Sequence, residues 1–388
     1  MTERRVYVDY NATTPLKSEV KAAMIDDLDV YGNASSLHTA GRYARARVEE
    51  ARAKVASLLG VKPATIIFTS GGSEANNAVF ETMRRQAKER NEFIITAVEH
   101  PCVLNSGQHT EKLGFRVTFV PVDEYGKIRM EALKSALGAK TLFVSVMMAN
   151  NEIGTVQDIR EISRLTKEAG AFIHTDAVQA VGKIPVNAPD LGVDYLTMSA
   201  HKIYGPKGVG ALYVREGAPL LPLIHGGHQE EGLRAGTYNN MGILGFGKAA
   251  SLAARDLDEY QRKTSALKNK LKEGLLASIP GIKINGHPID VLPNTLNVSF
   301  SGAEGEAILL SMDLAGIEAS TGSACASGSL EPSHVLMATG VGPELAHGSI
   351  RFSLGWQTTE DDIDYILETL PPIIERLRVM STLKTQGD

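Results

Sequence analysis

The feature that most constrains the fold is a series of seven short apolar runs, separated mostly by longer stretches with helical patterning. The runs cover residues 66–69, 93–97, 116–120, 142–148, 171–175, 193–198 and 209–214. Strands that alternate with helices build an α/β domain whose mostly parallel sheet is covered on both faces. The last run follows its neighbour too closely for a helix, so we expect those two strands to pair antiparallel. The pattern predicts a large domain around a seven-stranded sheet.

A second, smaller α+β domain is predicted to follow. The charged segment from about residue 251 to 276 is patterned as a long helix, which we interpret as the bridge between the domains. Beyond it, strands are expected near 282–285, 295–301, 318–320 and 349–354, and helices near 305–315, 331–339 and 360–380. The predicted boundary falls at residue 258, and a chain of 388 residues is long enough to fill two cores.

Composition narrows the classes of partner. A net charge of −5 argues against nucleic acid. No apolar run approaches the roughly 18 residues that span a membrane, and the first residues lack the apolar core of a signal peptide. Two cysteines without a disulfide framework fit a reducing compartment, so we expect a cytoplasmic protein. Neither C-x-x-C nor H-E-x-x-H occurs, so no metal site is predicted.

Two ionisable residues follow successive predicted strands, at the edge where open α/β sheets bind ligands. Asp176 ends one strand, and Lys202 follows the next in Ser-Ala-His-Lys. An amine in such a turn can form a Schiff base with pyridoxal phosphate, and a carboxylate can pair with the pyridine nitrogen. Alone, Lys202 fits a solvated surface residue and Asp176 a helix cap. Together they favour a pyridoxal phosphate site.

The segment Thr-Ser-Gly-Gly-Ser at 69–73 supports a phosphate site. It joins a predicted strand to a helix capped by Ser73, and helix N-termini offer unpaired N–H groups to anions. Gly72 allows a phosphate to approach the backbone closely. The segment matches neither a Walker loop nor a Rossmann fingerprint. A turn with a cap and no ligand is the alternative.

The two cysteines have different surroundings. Cys325 lies in Gly-Ser-Ala-Cys-Ala-Ser-Gly-Ser, where every neighbour is small or polar. A structural cysteine is usually placed among apolar residues, so this setting favours an accessible, reacting thiol. Cys102 follows Glu-His-Pro after an apolar run, and we interpret it as ordinary packing.

Ten segments in order resemble the cysteine desulfurases of the NifS/IscS type, in the class V aminotransferase group of pyridoxal-phosphate enzymes. They are YVDYNATTP at 7–15, GNASSLH at 32–38, TSGGSEANN at 69–77, EH at 99–100, NNEIG at 150–154, HTDAVQ at 174–179, SAHKIYGPKG at 199–208, RAGT at 234–237, TGSACASGSL at 321–330 and SIRFSL at 349–354. The resemblance implies the pyridoxal-phosphate-dependent transferase fold type I. It also adds residues 1–15 to the small domain (259–388), which leaves 16–258 as the large one.

The resemblance further implies roles for individual residues. Lys202 would form the Schiff base, Asp176 would pair with the ring nitrogen, and Gln179 would bind the ring hydroxyl. His100 would stack on the ring and transfer protons. The phosphate would be bound by Gly72, Ser73, Ser199 and His201, with Thr237 from the other subunit of a homodimer.

The substrate side follows in the same way. Asn151 and Arg351 would bind the carboxylate of L-cysteine, and Asn151 would also border the cofactor. Arg351 lies in an apolar strand pattern, where a charge needs a ligand or a carboxylate partner. Cys325 would take the substrate sulfur as a persulfide, with alanine as the other product, and pass it to an acceptor such as a scaffold protein for iron–sulfur cluster assembly.

Three details qualify the resemblance. The sequence after Cys325 is similar to the longer catalytic loop of the group that feeds scaffold proteins directly. Glu231 stands where many members carry arginine, which leaves details near the dimer interface open. A selenocysteine lyase, a related aminotransferase and an inactive protein with the same fold are the alternatives. An aminotransferase would not need Cys325, and an inactive protein would be expected to lack Lys202, Asp176 or Cys325.

Overall fold

The computed structural model describes residues 4–321 and 332–380. The strands are β1 (Val6–Tyr7), β2 (Ile66–Thr69), β3 (Glu92–Thr96), β4 (Arg116–Val120), β5 (Thr141–Ser145), β6 (Phe172–Asp176), β7 (Tyr195–Ser199), β8 (Gly210–Val214), β9 (Ile282–Asn285), β10 (Thr295–Phe300), β11 (Ile317–Glu318) and β12 (Ser349–Ser353). The α-helices are α1 (Ser18–Asp26), α2 (Thr39–Leu59), α3 (Gly72–Gln86), α4 (Pro101–Lys112), α5 (Met130–Ala136), α6 (Ile159–Glu168), α7 (Ala188–Leu191), α8 (Asn240–Ser278), α9 (Gly305–Leu314), α10 (His334–Ala338), α11 (Pro343–His347) and α12 (Glu360–Met380).

Seven strands form the predicted central sheet, in the order β2-β8-β7-β6-β5-β3-β4. Strand β8 pairs antiparallel with β7 and with β2, and the remaining pairs are parallel. The antiparallel pair expected for the last two runs is therefore confirmed. Because β2, β6 and β7 run in the same direction, their carboxyl ends meet at one edge of the sheet, which positions the site described below.

A second sheet, with the order β12-β10-β9, is antiparallel throughout. The N-terminal strand β1 pairs with β11, and Asp9 forms a bridge with Ser353 at the end of β12. Two buried apolar clusters pack against the central sheet, and a third joins β1 to the C-terminal half of α8, β10, β12 and α12. The division into a large domain (16–258) and a small domain (1–15 and 259–388) stays a prediction.

Helix α8 begins earlier than its charge pattern indicates, at Asn240 rather than near residue 251. Its first turns contain three glycines, which weaken an isolated helix. Close packing explains why they are helical, since a Cβ on Gly247 would lie 2.7 Å from the Cβ of Ala51 on α2. Close contact between α2 and α8 requires glycine at position 247. The packing that results compensates for the low helix propensity of glycine.

No helix in the described part of the chain has both the length and the apolar character needed to cross a membrane.

Candidate active site

A cavity of about 600 Å³ lies at the carboxyl edge of the central sheet, between this sheet and β12. Its walls include predicted site residues from six separate segments of the chain. They are Gly72, Ser73, His100, Asn151, Asp176, Gln179, Ser199, His201, Lys202 and Arg351. Sequence reasoning therefore named ten residues that the fold brings together.

Lys202 ends a short 3₁₀ turn, Ala200–Lys202, that directly follows β7. Its Nζ donates hydrogen bonds to the backbone carbonyl oxygens of Asn11 at 2.5 Å and Ala12 at 2.7 Å. The chain leaves this turn through Tyr204, whose φ of 65° is left-handed and unfavourable for a bulky residue. The Tyr204 N–H donates to Thr14 Oγ1, so the N-terminal segment secures both sides of the lysine.

Asp176 is the last residue of β6 and is buried. Both of its oxygens accept hydrogen bonds, Oδ1 from the N–H of Val178 at 3.0 Å and Oδ2 from Asn76 Nδ2 at 2.8 Å. Two donors fix the orientation of the carboxylate. Within the described residues, the buried Oδ1 of Asn76 has no hydrogen-bond partner.

One end of the cavity can hold an anion. Helix α3 starts there at Gly72, and its first-turn N–H groups have no intrahelical acceptors. Ser73, Ser199 and His201 also line this cavity. Burial, with help from nearby lysines including Lys202, lowers the pKa of His201 to about 4. His201 is therefore neutral near pH 7 and acts as a hydrogen-bonding group rather than as a cation.

His100 caps the N-terminus of α4. Its Nδ1 accepts a hydrogen bond from the N–H of Cys102 at 3.2 Å and lies 3.0 Å from the sulfur of Cys102. Burial lowers the pKa of His100, which favours the neutral imidazole that can accept a proton. Burial, followed by the charge of Asp176, raises the pKa of Cys102 to about 12 and keeps this thiol protonated.

The opposite wall of the cavity includes Arg351, which lies in the middle of β12 and is only 2% exposed. Its guanidinium donates to Asp9 Oδ1 at 2.6 Å and to the backbone oxygen of Asn151 at 3.1 Å. A buried arginine is stable only with such partners. The need for a partner was predicted from the sequence, and Asp9 supplies it.

Several residues at the cavity were given no role by sequence reasoning. Asn11, Cys102 and His334 line it directly, and His334 Nε2 donates to the backbone oxygen of Glu99 at 3.0 Å. Glu99 itself is fully buried, with Oε1 accepting from Thr96 and from the N–H of Met147. Burial raises the pKa of Glu99 to about 8. Asn11 and Glu99 lie in segments that carried the family resemblance, so the resemblance was the sequence signal that could have identified them.

Thr237 and Cys325 are the remaining predicted site residues. Thr237 is exposed and does not line the cavity, and its assignment to another subunit's site stays a prediction. Cys325 lies outside the described residues.

The cavity fits pyridoxal phosphate. It offers an amine at Lys202, a buried carboxylate at Asp176 with both oxygens oriented, and a helix N-terminus beside small and polar side chains. These three groups match the aldehyde, the ring nitrogen and the phosphate of that cofactor.

Known proteins resemble this chain over nearly its whole length. The family model "Aminotransferase class-V" matches residues 6–366. A protein named cysteine desulfurase IscS from Dictyoglomus turgidum is 50% identical over 386 residues, which cover 99% of this chain and 98% of that protein. Its namesake from Clostridium botulinum is 49% identical over 98% of this chain and 97% of its own length.

Solved structures agree with these relatives. A structure titled NifS-like protein superposes with a TM-score of 0.91 at 40% identity, covering 96% of this chain and all of that one. A NifS-like protein from Rickettsia africae gives a TM-score of 0.88 at 34% identity, with the same coverage. These matches do not favour a selenocysteine lyase or a general aminotransferase. The chain therefore belongs to the class-V aminotransferase family and, within it, to the pyridoxal-phosphate-dependent cysteine desulfurases of the NifS/IscS type.

Proposed function

We propose that the residues of the cavity convert L-cysteine to L-alanine and transfer its sulfur to Cys325 as a persulfide. The observation that carries these assignments is one cavity that joins Lys202 and Asp176 on the sheet side to Arg351 on the opposite side. Bound there, pyridoxal phosphate supplies an electron sink that makes the Cα–H bond, and then the Cβ–S bond, of cysteine labile. Lys202 and Asp176 hold its ring, and Gly72, Ser73, Ser199 and His201 hold its phosphate.

Arg351 and Asn151 orient the substrate. The planar guanidinium of Arg351 can bind a carboxylate through two parallel hydrogen bonds. Asp9 holds that guanidinium from one side at 2.6 Å, so the arginine is already oriented before cysteine enters. This preorganisation reduces the entropy lost when the substrate binds.

Lys202 and His100 transfer the protons. With the cofactor bound, the Lys202 amine would remove the α-proton of cysteine, because Lys202 lines the cavity that would hold both. His100 is neutral, since burial lowers its pKa, and it can accept the thiol proton of the substrate or of Cys325. Each proton therefore has a named acceptor within one cavity.

Sulfur transfer completes the reaction. The Cys325 thiolate attacks the substrate sulfur, and the Cβ–S bond breaks with its electron pair left on carbon. The sulfur is then held on Cys325 as a persulfide, and protonation of the carbon yields alanine. Support comes from the small and polar neighbours of Cys325 and from the family to which the chain belongs.

Single-turnover release of alanine from cysteine tests this assignment, with a matched control from the chain's only other cysteine. The Cys325→Ala variant is expected to bind cysteine, seen as a change in visible absorbance, and to release neither alanine nor persulfide sulfur. Cys102→Ala is expected to react normally. If Cys325→Ala releases both products at the wild-type rate, the persulfide step is wrong.

We propose further that the protein is a homodimer in which Thr237 completes the phosphate site of the partner. Thr237 is exposed, and Asn240 beside it binds the backbone oxygens of Val30 and Gly32. Tyr31, between Val30 and Gly32 in sequence, is 85% exposed, and Leu37 is 88% exposed. Exposed large apolar side chains are candidates for an interaction site.

Sedimentation of the wild type and of a Tyr31→Asp/Leu37→Asp variant tests the dimer. The wild type is expected to sediment as a dimer, and the variant as a monomer with weakened cofactor binding. A monomeric wild type would contradict the proposal, and so would normal cofactor binding by the monomeric variant.

The persulfide is proposed to pass to a scaffold protein for iron–sulfur cluster assembly in the cytoplasm. Relatives named IscS support this choice. Transfer of ³⁵S from labelled enzyme to a purified scaffold protein checks it, and label that stays on the enzyme would contradict it.

A further inference from the structure

A second lysine lies behind the cavity and has no assigned role. Lys183 is only 2% exposed and does not line the cavity, whereas Gln179 does. The backbone after β6 forms helical turns, with the N–H of Val181 bonded to the oxygen of Ala177. Residues four apart in such turns lie on the same side. Accordingly, Lys183 Nζ donates to Gln179 Oε1 at 2.5 Å.

Burial of Lys183 costs free energy. Within the described residues no carboxylate forms an ion pair with it. Burial, then the positive charges of Lys202 and Arg351, place the pKa of Lys183 well below its usual value. A methionine or leucine would fill the same space without this penalty. Its hydrogen bonds therefore indicate a purpose beyond packing.

The contacts of Gln179 indicate what Lys183 does beyond packing. Its Nε2 donates to the backbone oxygen of Asn11 at 2.9 Å, a group that can only accept. Its Oε1 faces the Lys183 amine, which also donates to Asn11 Oδ1 at 3.0 Å. These contacts define which end of the Gln179 amide is oxygen and which is nitrogen. In a flipped amide, Oε1 would face the backbone oxygen of Asn11 and Nε2 would face the Lys183 amine. Among the residues that the structure describes, the second N–H of Gln179 Nε2 has no acceptor.

We propose that Lys183 is a positioning residue that fixes the amide of Gln179 so that its remaining N–H is presented to the cofactor ring. This inference rests on the proposed function, in which Gln179 binds the ring hydroxyl. A donor at that oxygen favours its ionised form. Lys183 therefore acts on the ionisation of the cofactor through Gln179, without touching it.

The visible absorption of the cofactor-loaded protein, titrated with pH, reports this ionisation without any turnover. Lys183→Met is expected to shift the midpoint by about 0.5 pH unit or more, and Gln179→Leu to shift it in the same direction. The double variant is expected to shift no further than the larger single effect, because the two residues act in series. The other titratable groups at the cavity, including Lys202, His201, His100 and Asp176, are the same in every variant.

Lys268→Met is the matched control. Lys268 is also buried, its Nζ donates to the backbone oxygen of Leu292 at 2.8 Å, and it does not line the cavity. The control is expected to change thermal stability and leave the absorption midpoint unchanged. Should Lys183→Met not fold, Lys183→Gln replaces it. This variant keeps an N–H donor and is expected to stay within about 0.2 pH unit of the wild type.

Three outcomes would overturn the inference. A Lys183→Met protein with lower thermal stability and an unchanged midpoint would show a purely structural role. Additive shifts in the double variant would show that Lys183 does not act through Gln179. If Gln179→Leu alone leaves the spectrum unchanged, the proposed role of Gln179 fails and the inference fails with it, which separates this result from the first two.

Discussion

The two walls of the cavity are built in different ways. On the sheet side, Asp176 and Lys202 follow parallel neighbours in one sheet, so local strand geometry alone brings them together. On the other side, Arg351 meets Asp9 across 342 residues of sequence. The first wall uses the edge that every open α/β sheet offers, whereas the second exists only after distant segments have assembled. The sheet-side wall should therefore tolerate substitution of its neighbours better than the opposite wall.

The largest expected effect is on the sheet side. Lys202→Ala removes the amine that moves the α-proton, so turnover is expected to fall on the order of 10²–10⁴-fold. Lys207→Ala, at an exposed lysine five residues later, is the control and should leave turnover unchanged. Alanine release under saturating cysteine measures both. Lys202→Ala loses the Nζ hydrogen bonds to the backbone oxygens of Asn11 and Ala12, each worth about 1 kcal/mol, so the cofactor-free variant should lose less stability than Asp9→Asn. A large loss of stability would contradict the comparison.

On the opposite wall we expect the reverse pattern, with stability affected first. Asp9→Asn removes the carboxylate that lies 2.6 Å from the buried Arg351 guanidinium, which costs about 3 kcal/mol. Asp313→Asn is the control, because Asp313 forms an ion pair with Arg5 at the surface, worth less than about 1 kcal/mol. Denaturant unfolding at neutral pH measures both. Equal effects from the two variants would show that the buried pair is no more important than a surface pair.

An intermediate effect is expected at Glu99, beneath the sheet-side wall. Its pKa is raised to about 8 in the folded protein, so between about pH 5 and pH 8 the folded state keeps a proton that the unfolded state releases. Wild-type stability should therefore fall as pH rises through this window. Glu99→Gln cannot ionise, and its stability relative to the wild type should rise by about 1 kcal/mol per pH unit there. Unfolding curves at several pH values check this, and a pH-independent difference would disprove the protonated carboxyl.

The smallest effect is expected at Cys102. The pKa of its thiol is raised to about 12, so below pH 9 almost none of it is thiolate, the reactive form. Cys102→Ala should change turnover by less than about twofold. Alkylation by iodoacetamide followed by peptide mass spectrometry should modify Cys325 well before Cys102. Faster labelling of Cys102 would show that its environment differs from the buried one described.

Sequence patterns predicted the sheet side in detail and the opposite side only in outline. Strand β2 matches its apolar run residue for residue, and Lys202 and Asp176 lie at the strand ends as expected. These features depend on local patterns. The start of α8 was missed because Gly247 packs against Ala51 and Gly245 against Met24, both far away in sequence. Asp9 and Glu99 lie in segments that carried the resemblance but were given no role, and Lys183 lies outside those segments, because burial and long-range partners are not visible in a local pattern.

The pairing of Asp9 with Arg351 also has a consequence for biosynthesis. Ribosomes add roughly 5–20 residues per second, so roughly 20–70 s separate the synthesis of the two partners. The segment that holds Asp9 cannot pair with Arg351 until 342 further residues have been added. The proposed substrate pocket therefore forms late in synthesis, and substitutions that weaken this pair would disturb a late step of folding.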